Sequence, residues 1–536
     1  MSSFPRKTWV RCLAAGLAFV LPLQAAMAQV RLPALGESAS EEFSVGTERR
    51  TGEQIMREIR RDPDYLDDPV LLEYLQTIWQ PLVAAARQAG NIEPDVDHQF
   101  AWESFLVRDR AVNAFALPGG YVGVNLGLIA LTATGDELAS VLAHELSHVT
   151  QRHIARSVVA SNRASMVGLA ALILGILAAA RSSNVDMANA AIMTSQAAAI
   201  QGQLNFSRDM EREADRMGYG LLSGAGYATS GMAAMFEKLD TASRLNDNGS
   251  FPYLRSHPLT VERMSEARSR ALFAGPSRGA PPLLHALMQA RARVLMDTDP
   301  QQLHRYQDQA AGAAGAPLRE RLMSMYAGAL AATIQRNHGL AERAATDALA
   351  LAESASPREP QAERSLRLLQ AQVRLARGDA AGALQALDAI TLDARGRAPV
   401  LVRAQAVLDL QRQGGAAATL RESTETLQTW VADHPHDATA WTLLSASAEG
   451  VGLKLRALRA GAEARAAIGD LGGAIDRLRA GQMAAAKASG GQDFIEASVI
   501  DARLRELQGQ RRQLALEMRG NGNGRQPRDG DDPPPQ

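Results

Sequence analysis

The sequence has little cysteine, few aromatic residues and almost no excess of charge of either sign, and each of these would indicate a particular class of protein. Its 536 residues include one cysteine, and aromatic residues make up only 4% of the chain. Few aromatics, together with an alanine-rich C-terminal half, favour packed helices over sheet. Lysine and arginine (57) almost balance aspartate and glutamate (58), for a formal net charge of -1. Because phosphate binding requires a clustered excess of basic residues, this balance argues against nucleic acid as a partner.

The first 28 residues have the pattern of a signal peptide rather than that of a membrane anchor. Three basic residues precede a short apolar run at residues 13–23, and residues 26–28 form a small-x-small cleavage site. The apolar run falls short of the roughly 17–25 residues that a spanning helix needs. Cleavage would start the mature chain at Gln29 and remove Cys12, so the mature, exported protein would contain no disulfide.

The chain is too long for one compact core, which predicts at least two domains. Apolar residues recur at helical spacing between Gly52 and Gly90. Two short extended runs follow near residues 99–107 and 114–124, and Pro118-Gly119-Gly120 supplies a turn. The first domain is therefore expected to be mainly α with a small β element.

After Pro281 the sequence becomes a series of alanine-rich helical segments separated by short breaks. Two breaks look alike, at residues 337–339 and 377–379, and an alanine follows each of them in the next helix. Further breaks occur at residues 414–415, 434–437 and 468–470. The pattern predicts helical hairpins stacked as TPR-like repeats, and a non-repeating helical bundle is the alternative. From Gly520 onward the sequence is rich in Gly, Asn, Pro and Asp, which predicts a disordered tail.

Residues 166–180 are almost wholly apolar and are flanked by Arg163 and Arg181. This segment is short for a membrane span, which needs roughly 17–25 residues. A buried helix, or one that covers a functional site, is the favoured interpretation. A peripheral contact with a membrane surface comes second, and a span comes third.

The stretch His144-Glu145-Leu146-Ser147-His148 carries the clearest chemical pattern. It lies on a predicted helix that begins near Thr134, which stands in capping-box register with Glu137. Residues four apart lie on one face of a helix, so both imidazoles can reach one ion. Zinc prefers such nitrogen ligands and lowers the pKa of its bound water to about 7. Glu145 flanks the ion without having to bind it, and it can take a proton from that water.

A catalytic zinc also needs a third protein ligand and an open position. The candidates lie in the acidic segment at residues 207–215, which has a helical pattern. Glu211 and Asp215 are four apart and share a face, whereas Glu213 points nearly opposite. One of the two acids can bind the ion while the other accepts a hydrogen bond from a histidine ring, and the spacing does not say which. Without the histidine motif, a solvated charged face would be the simpler interpretation.

Together these motifs resemble those of the HtpX-like and prenyl-protein-protease type of zinc endopeptidase. Residues 113–120 are similar to the strand and turn that precede the metal helix in that family. The signal peptide and the helical repeats narrow the resemblance to the periplasmic beta-barrel assembly-enhancing protease (BepA-like) group. The composition and the resemblance together predict four parts along the chain. The resemblance supplies two of them, a zincin-type metallopeptidase domain at 29–275 and an α-helical TPR-like repeat domain at 280–515, and composition supplies the signal peptide at residues 1–28 and the disordered tail at 516–536.

The resemblance also implies roles for single residues. One zinc ion per subunit would be bound by His144, His148 and Glu211. Glu145 would be the general base, and Asp215 would orient a ligating histidine.

Two further histidines match the family. His257-Pro258 and Arg263 correspond to a His-Pro…Arg stretch whose histidine can occupy the position that water or substrate needs. By resemblance His257 is a regulatory fourth zinc ligand that keeps the enzyme latent. Otherwise it caps the following helix or faces solvent. His153 also recurs in the family, and we interpret it as structural.

The function implied by the resemblance is a zinc-dependent endopeptidase of the periplasm. It would degrade misassembled or unfolded outer-membrane and other envelope proteins and assist beta-barrel assembly. Its repeats would recruit substrate or the outer-membrane barrel assembly machinery. The alternative is a TPR chaperone or adaptor for outer-membrane proteins with latent protease activity. The extended run at residues 119–125 is either an edge that pairs with a substrate peptide or an edge strand that supports the metal helix.

Overall fold

The computed structural model describes residues 44–160, 207–245, 251–272, 282–486 and 491–520. The predicted signal peptide, the apolar segment at residues 166–180 and residues 521–536 of the predicted tail lie outside these ranges. The described part is mainly helical with one small sheet, which confirms the predicted fold class. None of its helices combines the length and the hydrophobicity that crossing a bilayer requires.

The N-terminal region, up to residue 272, contains all the strands that the structure describes. In chain order its elements are α1 (Val45–Ile59), β1 (Tyr65–Leu66), α2 (Pro69–Gln88), α3 (Pro94–Gln99), β2 (Glu103–Val107), β3 (Ala114–Leu117), β4 (Tyr121–Asn125), α4 (Leu126–Leu131), α5 (Gly135–Thr150), α6 (His153–Ala160), α7 (Arg208–Gly224), α8 (Ser230–Leu245), α9 (Pro252–Ser256) and α10 (Val261–Ala271).

The sheet has the strand order β1-β2-β4-β3. β2 pairs with β4 in parallel, β3 pairs with β4 antiparallel, and β1 pairs with β2 antiparallel. Gly119 and Gly120 form the predicted turn between β3 and β4, with φ angles of 77° and 88°. Residues with a side chain rarely adopt these backbone angles, so glycine is required there.

Helix α5 lies at the centre of the N-terminal region. It contacts α2, α7 and α8 on its sides and β3 and β4 on the sheet. Helix α7 approaches α5 closely because Gly218 of α7 faces the α5 backbone. A Cβ atom at this position would lie 3.2 Å from the backbone atoms of Ala143 and His144. This close approach brings the acidic side chains of α7 within reach of α5.

The C-terminal region is helical throughout its described length. Its helices are α11 (Pro282–Met296), α12 (Pro300–Gly312), α13 (Leu318–Ile334), α14 (His338–Glu353), α15 (Pro360–Ala376), α16 (Ala380–Asp388), α17 (Arg397–Arg412), α18 (Ala417–Asp433), α19 (Ala438–Gly450), α20 (Lys454–Ala467), α21 (Leu471–Ala485) and α22 (Gly491–Gly520), with a short 3-10 turn at Ala313–Gly315. From α12 onward each helix contacts the next one in sequence.

The five breaks read from the sequence coincide with boundaries between these helices. At four of them an Asn or Asp side chain caps the next helix by accepting a hydrogen bond from the backbone N–H three residues later. The four capping residues are Asn337, Asp379, Asp437 and Asp470. The breaks are therefore helix boundaries, while the TPR-like repeat itself stays a prediction.

Helix α11 joins the two regions and packs on α4 and α2. Arg291 is buried and forms a bidentate ion pair with Asp68, with N–O distances of 2.6 and 2.7 Å. One turn and a half earlier, the fully buried His285 lies 2.6 Å from the hydroxyl of Tyr74 through Nδ1 and 3.0 Å from the carbonyl of Thr132 through Nε2. One hydrophobic core extends across this junction. The two regions therefore share a core.

We expect acid to weaken this junction through His285. Neutral His285 satisfies both neighbours by accepting from Tyr74 and donating to Thr132. Burial lowers its pKa from 6.5 to about 4, so the unfolded chain binds the proton more readily than the folded one. Stability is then fully present above pH 6.5 and falls as the pH drops toward 4. Between about pH 8 and about pH 5 the loss from this group is about 2 kcal/mol.

Denaturant unfolding of the wild type and of His285→Gln at several pH values, with a chelator present throughout, measures this contribution. The variant should be less stable at neutral pH, and its free energy of unfolding should fall about 2 kcal/mol less over that interval. Equal pH dependence in both proteins would contradict the prediction.

Candidate metal centre

The His-Glu-x-x-His stretch lies in the C-terminal half of α5. Thr134 caps the helix by accepting a hydrogen bond from the backbone N–H of Glu137, as the sequence predicts. The three functional side chains are almost fully buried, with His144 2%, Glu145 0% and His148 1% exposed. Buried polar groups of this kind need partners. The partners come from α7, from the loop that follows α9 and from α6.

Helix α7 contributes its acidic face. Ser207 caps it through the backbone N–H of Met210. Glu211 is 2% exposed and faces the histidines, and Asp215 lies one turn further along. Glu213 points to another side of the helix and forms its contacts elsewhere. The i, i+4 pairing of Glu211 and Asp215 read from the sequence corresponds to this geometry.

Four side chains converge on one point: His144, His148, Glu211 and His257 are all buried, and one potential ligand atom of each lies within 4.8 Å of the others. Nε2 of His144 lies 3.0 Å from Nε2 of His148 and 3.3 Å from Nδ1 of His257. The carboxylate of Glu211 lies 3.4 Å from both Nε2 atoms and 3.0 Å from Nδ1 of His257. The sequence-predicted ligand candidates are therefore brought together.

These spacings fit a single ion. Ligand atoms bound at about 2.0–2.1 Å around a tetrahedral zinc ion are about 3.4 Å apart. The five separations given above range from 3.0 to 3.4 Å, close to that value. Three imidazoles and one carboxylate are a donor set that zinc accepts. The residues present thus fit a zinc-sized cation.

Asp215 lies behind His144, on the side of the ring away from the group. Its Oδ1 is 2.9 Å from Nδ1 of His144. Arg263 holds the same carboxylate with two bonds of 2.6 and 2.8 Å, and its Nη1 lies 2.8 Å from Oε2 of Glu211. Arg263 also donates to the carbonyl of Pro258, next to His257. One buried guanidinium therefore connects α7 to the loop that carries His257. The sequence shows the spacing from His257 to Arg263 but does not reveal this role.

A second chain of contacts lies behind His148. Nδ1 of His148 is 2.9 Å from Nδ1 of His153, and Nε2 of His153 is 3.2 Å from Oε2 of Glu213. Arg156 donates to the same carboxylate oxygen at 3.0 Å. His153 is completely buried. No periodic signal in the sequence marks this contact, because a turn at Arg152, with φ of 50°, separates the two helices.

Burial and neighbouring groups shift the pKa values of Glu211, His148 and His144, in some cases in opposite directions. Burial alone would raise the pKa of Glu211, but the charge of His257 and the hydrogen bond from His144 outweigh it and hold this pKa well below its usual range. Burial and the neighbouring His144 lower the pKa of His148 well below 6.5. For His144, burial lowers the pKa, while Asp215 and Glu211 raise it to about 9. An ionised Glu211 and a neutral His148 are the forms that bind a metal, and binding at His144 would release a proton.

Glu145 stands beside the group. Its Oε1 lies 3.5 Å from Nε2 of His257. Neither carboxylate oxygen has a hydrogen-bond partner of normal geometry among the described residues. Burial raises the pKa of this carboxyl above 4.5, although His257 and His144 lower it in part. Glu145 is thus a carboxylate with a raised proton affinity next to a candidate metal position.

The sheet corrects one prediction. The sequence leads us to expect an edge at residues 119–125, but β4 lies between β2 and β3 and is paired on both sides. The physical reason is the parallel pairing of β2 with β4, a long-range contact that alternation along one strand does not reveal. The strands at the two edges of the sheet are β1 and β3, and β3 also contacts α5.

Comparison with known proteins identifies related sequences. Residues 73–271 match the family model described as peptidase family M48. The putative beta-barrel assembly-enhancing protease of Vibrio cholerae is 38% identical over 296 residues, which cover 55% of this chain and 58% of that protein. The beta-barrel assembly-enhancing protease of Escherichia coli is 32% identical over 240 residues, covering 45% and 47%. These matches span about half the length of the relatives and confirm the resemblance read from the motifs.

A more distant relative is a mitochondrial enzyme. The mitochondrial metalloendopeptidase OMA1 of Saccharomyces cerevisiae is 26% identical over 195 residues, which cover 35% of this chain and 53% of that protein.

The four-residue group predicts a specific loss of metal. In Glu211→Gln a neutral amide replaces the one anionic ligand candidate, so we expect zinc bound to the purified protein to fall from about one per chain to almost none. Glu266→Gln, the same change at a half-exposed glutamate of α10, should keep the wild-type zinc content. Elemental analysis after gel filtration measures both. Equal zinc in the two variants would show that Glu211 is not a ligand.

Proposed function

Since residues 73–271 are a peptidase family M48 domain, we propose that the protein is a zinc-dependent endopeptidase of the periplasm. The observation that carries this proposal is the convergence of His144, His148 and Glu211 beside the buried carboxylate of Glu145. Two imidazoles, one carboxylate ligand and an adjacent unligated glutamate are the parts that metal-assisted peptide hydrolysis needs.

In this proposal each residue has one task. His144, His148 and Glu211 hold the ion, and Asp215 orients His144 through Nδ1. A zinc ion bound there would supply a Lewis acid that polarises the scissile carbonyl and lowers the pKa of bound water.

Glu145 acts on the proton of the attacking water. Its carboxylate accepts that proton as the water adds to the peptide carbonyl, and it then delivers the proton to the leaving amine. Its raised pKa suits both steps, because a group whose pKa lies closer to the working pH can both take up and release a proton. Burial of the side chain away from bulk water keeps that proton within the site.

The substrate in this proposal is an extended or unfolded segment of an envelope protein. β3 is the edge strand nearest the site, because it contacts the metal helix α5. Main-chain pairing with an edge strand selects extended chains with little sequence preference. The names of the relatives, beta-barrel assembly-enhancing proteases, support misassembled or unfolded outer-membrane proteins as substrates. The C-terminal helices would recruit them, or the barrel assembly machinery.

One specific observation favours a mostly latent enzyme, in which the C-terminal helices act chiefly as a chaperone or adaptor. His257 completes a set of four protein ligands, whereas a catalytic zinc site keeps a fourth position open for water or substrate. The ring of Tyr253 lies against that of His257, with centroids 4.7 Å apart. His257 would therefore have to leave before a peptide could bind.

Glu145→Gln tests the enzymatic proposal. The amide cannot accept the water proton, so casein cleavage should fall by at least about a hundredfold while the zinc content stays that of the wild type. Cleavage at the wild-type rate would exclude Glu145 as the base. If the variant restored outer-membrane protein assembly as well as the wild type does in a strain lacking this protein, the adaptor role would be the main one.

His257→Ala tests latency. Removing the imidazole opens one position at the ion, so the basal rate of casein cleavage should rise, with zinc still bound by the other three residues. His434→Ala, at an exposed histidine of the C-terminal region, is the matched control and should leave the rate unchanged. An unchanged or lower rate in His257→Ala, with zinc retained, would count against a latch.

A further inference from the structure

His153 is a buried histidine to which the proposed mechanism assigns no role. It is 0% exposed and begins α6, directly after the turn that ends α5. That turn depends on Arg152, whose φ of 50° is uncommon for a residue with a side chain. Nε of Arg152 is held at 2.7 Å from Oε2 of the buried Glu48. A strained turn with its own buried ion pair thus brings His153 back toward α5.

The turn directs one ring nitrogen of His153 at a candidate metal ligand. Nδ1 of His153 lies 2.9 Å from Nδ1 of His148. Nε2 of His148 points the other way, into the group, at 3.0 Å from Nε2 of His144. His148 therefore has one nitrogen on the metal side and one on the His153 side.

Only one arrangement of protons satisfies all of these contacts when a metal is bound. A histidine that binds through Nε2 must have a free electron pair there, so its proton lies on Nδ1. His148 then donates from Nδ1, and Nδ1 of His153 accepts. The proton of neutral His153 must in turn lie on Nε2, which faces Oε2 of Glu213 at 3.2 Å. Arg156, at 3.0 Å from the same oxygen, keeps Glu213 ionised and in place.

The two ligand histidines of α5 are therefore supported differently. His144 meets the carboxylate of Asp215 directly, at 2.9 Å. His148 reaches the carboxylate of Glu213 through the ring of His153. Hydrogen-bond acceptors behind a metal-binding imidazole fix its tautomer and raise its basicity. A neutral imidazole does this less strongly than a carboxylate, unless its own proton is drawn toward an anion, which Glu213 provides.

We propose that His153 is a positioning residue, which holds His148 in the tautomer that binds the metal through Nε2, and that Glu213 sets the tautomer of His153. This inference rests on the proposed metal site. It differs from a packing role, in which the ring of His153 only fills space between α5 and α7 and any side chain of similar volume would serve.

The test compares three substitutions in the full-length mature protein, with zinc as the probe. In His153→Leu the volume is kept and the acceptor is lost. In His153→Asn the amide oxygen can take the place of Nδ1 as the acceptor. His285→Leu removes another fully buried histidine, whose two polar contacts are with Tyr74 and Thr132, and is the control for loss of a buried ring.

Zinc affinity, measured by competition with a chromogenic chelator, should fall by about 10–100-fold in His153→Leu. His153→Asn should recover most of that loss, and His285→Leu should bind as the wild type does. Equal affinity in His153→Leu and the wild type would overturn the proposal. So would equal losses in the Leu and Asn variants, since the acceptor would then be irrelevant.

A second measurement detects the proton on Nδ1 of His148 directly. In zinc-loaded protein with ¹⁵N-labelled histidine, the Nδ1–H of His148 should give an imidazole N–H signal protected from exchange with solvent. The signal should persist in His153→Asn and disappear in His153→Leu. Glu213→Gln, at a partly exposed side chain, provides the same test if His153→Leu does not fold. It should weaken zinc binding several-fold and speed exchange of this proton, and no change in either property would overturn the proposal.

Failure of this inference is distinguishable from failure of the metal site. If the wild type binds no zinc, the proposed metal centre itself is wrong. If the wild type binds zinc and His153→Leu binds it equally well, only the role of His153 is wrong.

Discussion

The buried carboxylate of Glu211 is the constraint on which the rest of the site depends. Moving an ionised carboxylate out of water costs several kcal/mol unless opposite charges and hydrogen bonds compensate. Glu211 is 2% exposed, and its compensation comes from Arg263 at 2.8 Å and from His257 at 3.0 Å. Arg263 is itself buried, so it needs the carboxylate of Asp215 in turn. The positions of α7, α10 and the loop before α10 are therefore coupled through one set of charges.

The sequence was sufficient for those parts of the site that lie within single helices. The spacing of His144 and His148, and that of Glu211 and Asp215, follow from the helical period, so each pair is predictable from the order of residues alone. The roles within the acid pair came only from the resemblance, because Asp215 and Glu211 differ in distance from the histidines and not in periodicity. The fold follows the same rule. The helix breaks are predictable from the sequence because Asn, Asp and Gly mark them locally.

Contacts between segments distant in sequence could not be read in this way. The extended run that contains β4 leads us to expect an edge, yet the parallel partner β2 covers its second side. His153 lies five residues from His148, off the helical period, and reaches it only because Arg152 adopts a left-handed conformation. Arg263 and Asp215 are 48 residues apart. In each case the decisive information is a tertiary approach, which the local pattern of apolar and polar residues does not encode.

The C-terminal region is bound to the N-terminal region by ion pairs, one of them buried, as well as by a shared core. Arg291 pairs with Asp68 in the interior, and Arg397 pairs with the neighbouring Asp67. Removing one partner of a buried pair leaves an uncompensated charge, which costs about 3–5 kcal/mol. The loop before α2 is therefore a fixed point for both regions, and movement of the C-terminal helices relative to α2 would have to break these pairs together.

In the proposed pairing of a substrate with β3, the short length of this strand sets the size of the segment that a client protein must expose. Ala114–Leu117 is four residues long, and a strand advances about 3.3 Å per residue, so a peptide paired with it is registered over about 13 Å. A frayed terminus or one unfolded loop presents that much extended backbone. Global unfolding of a client would then be unnecessary for recognition, and a barrel with a single unpaired strand segment would already qualify.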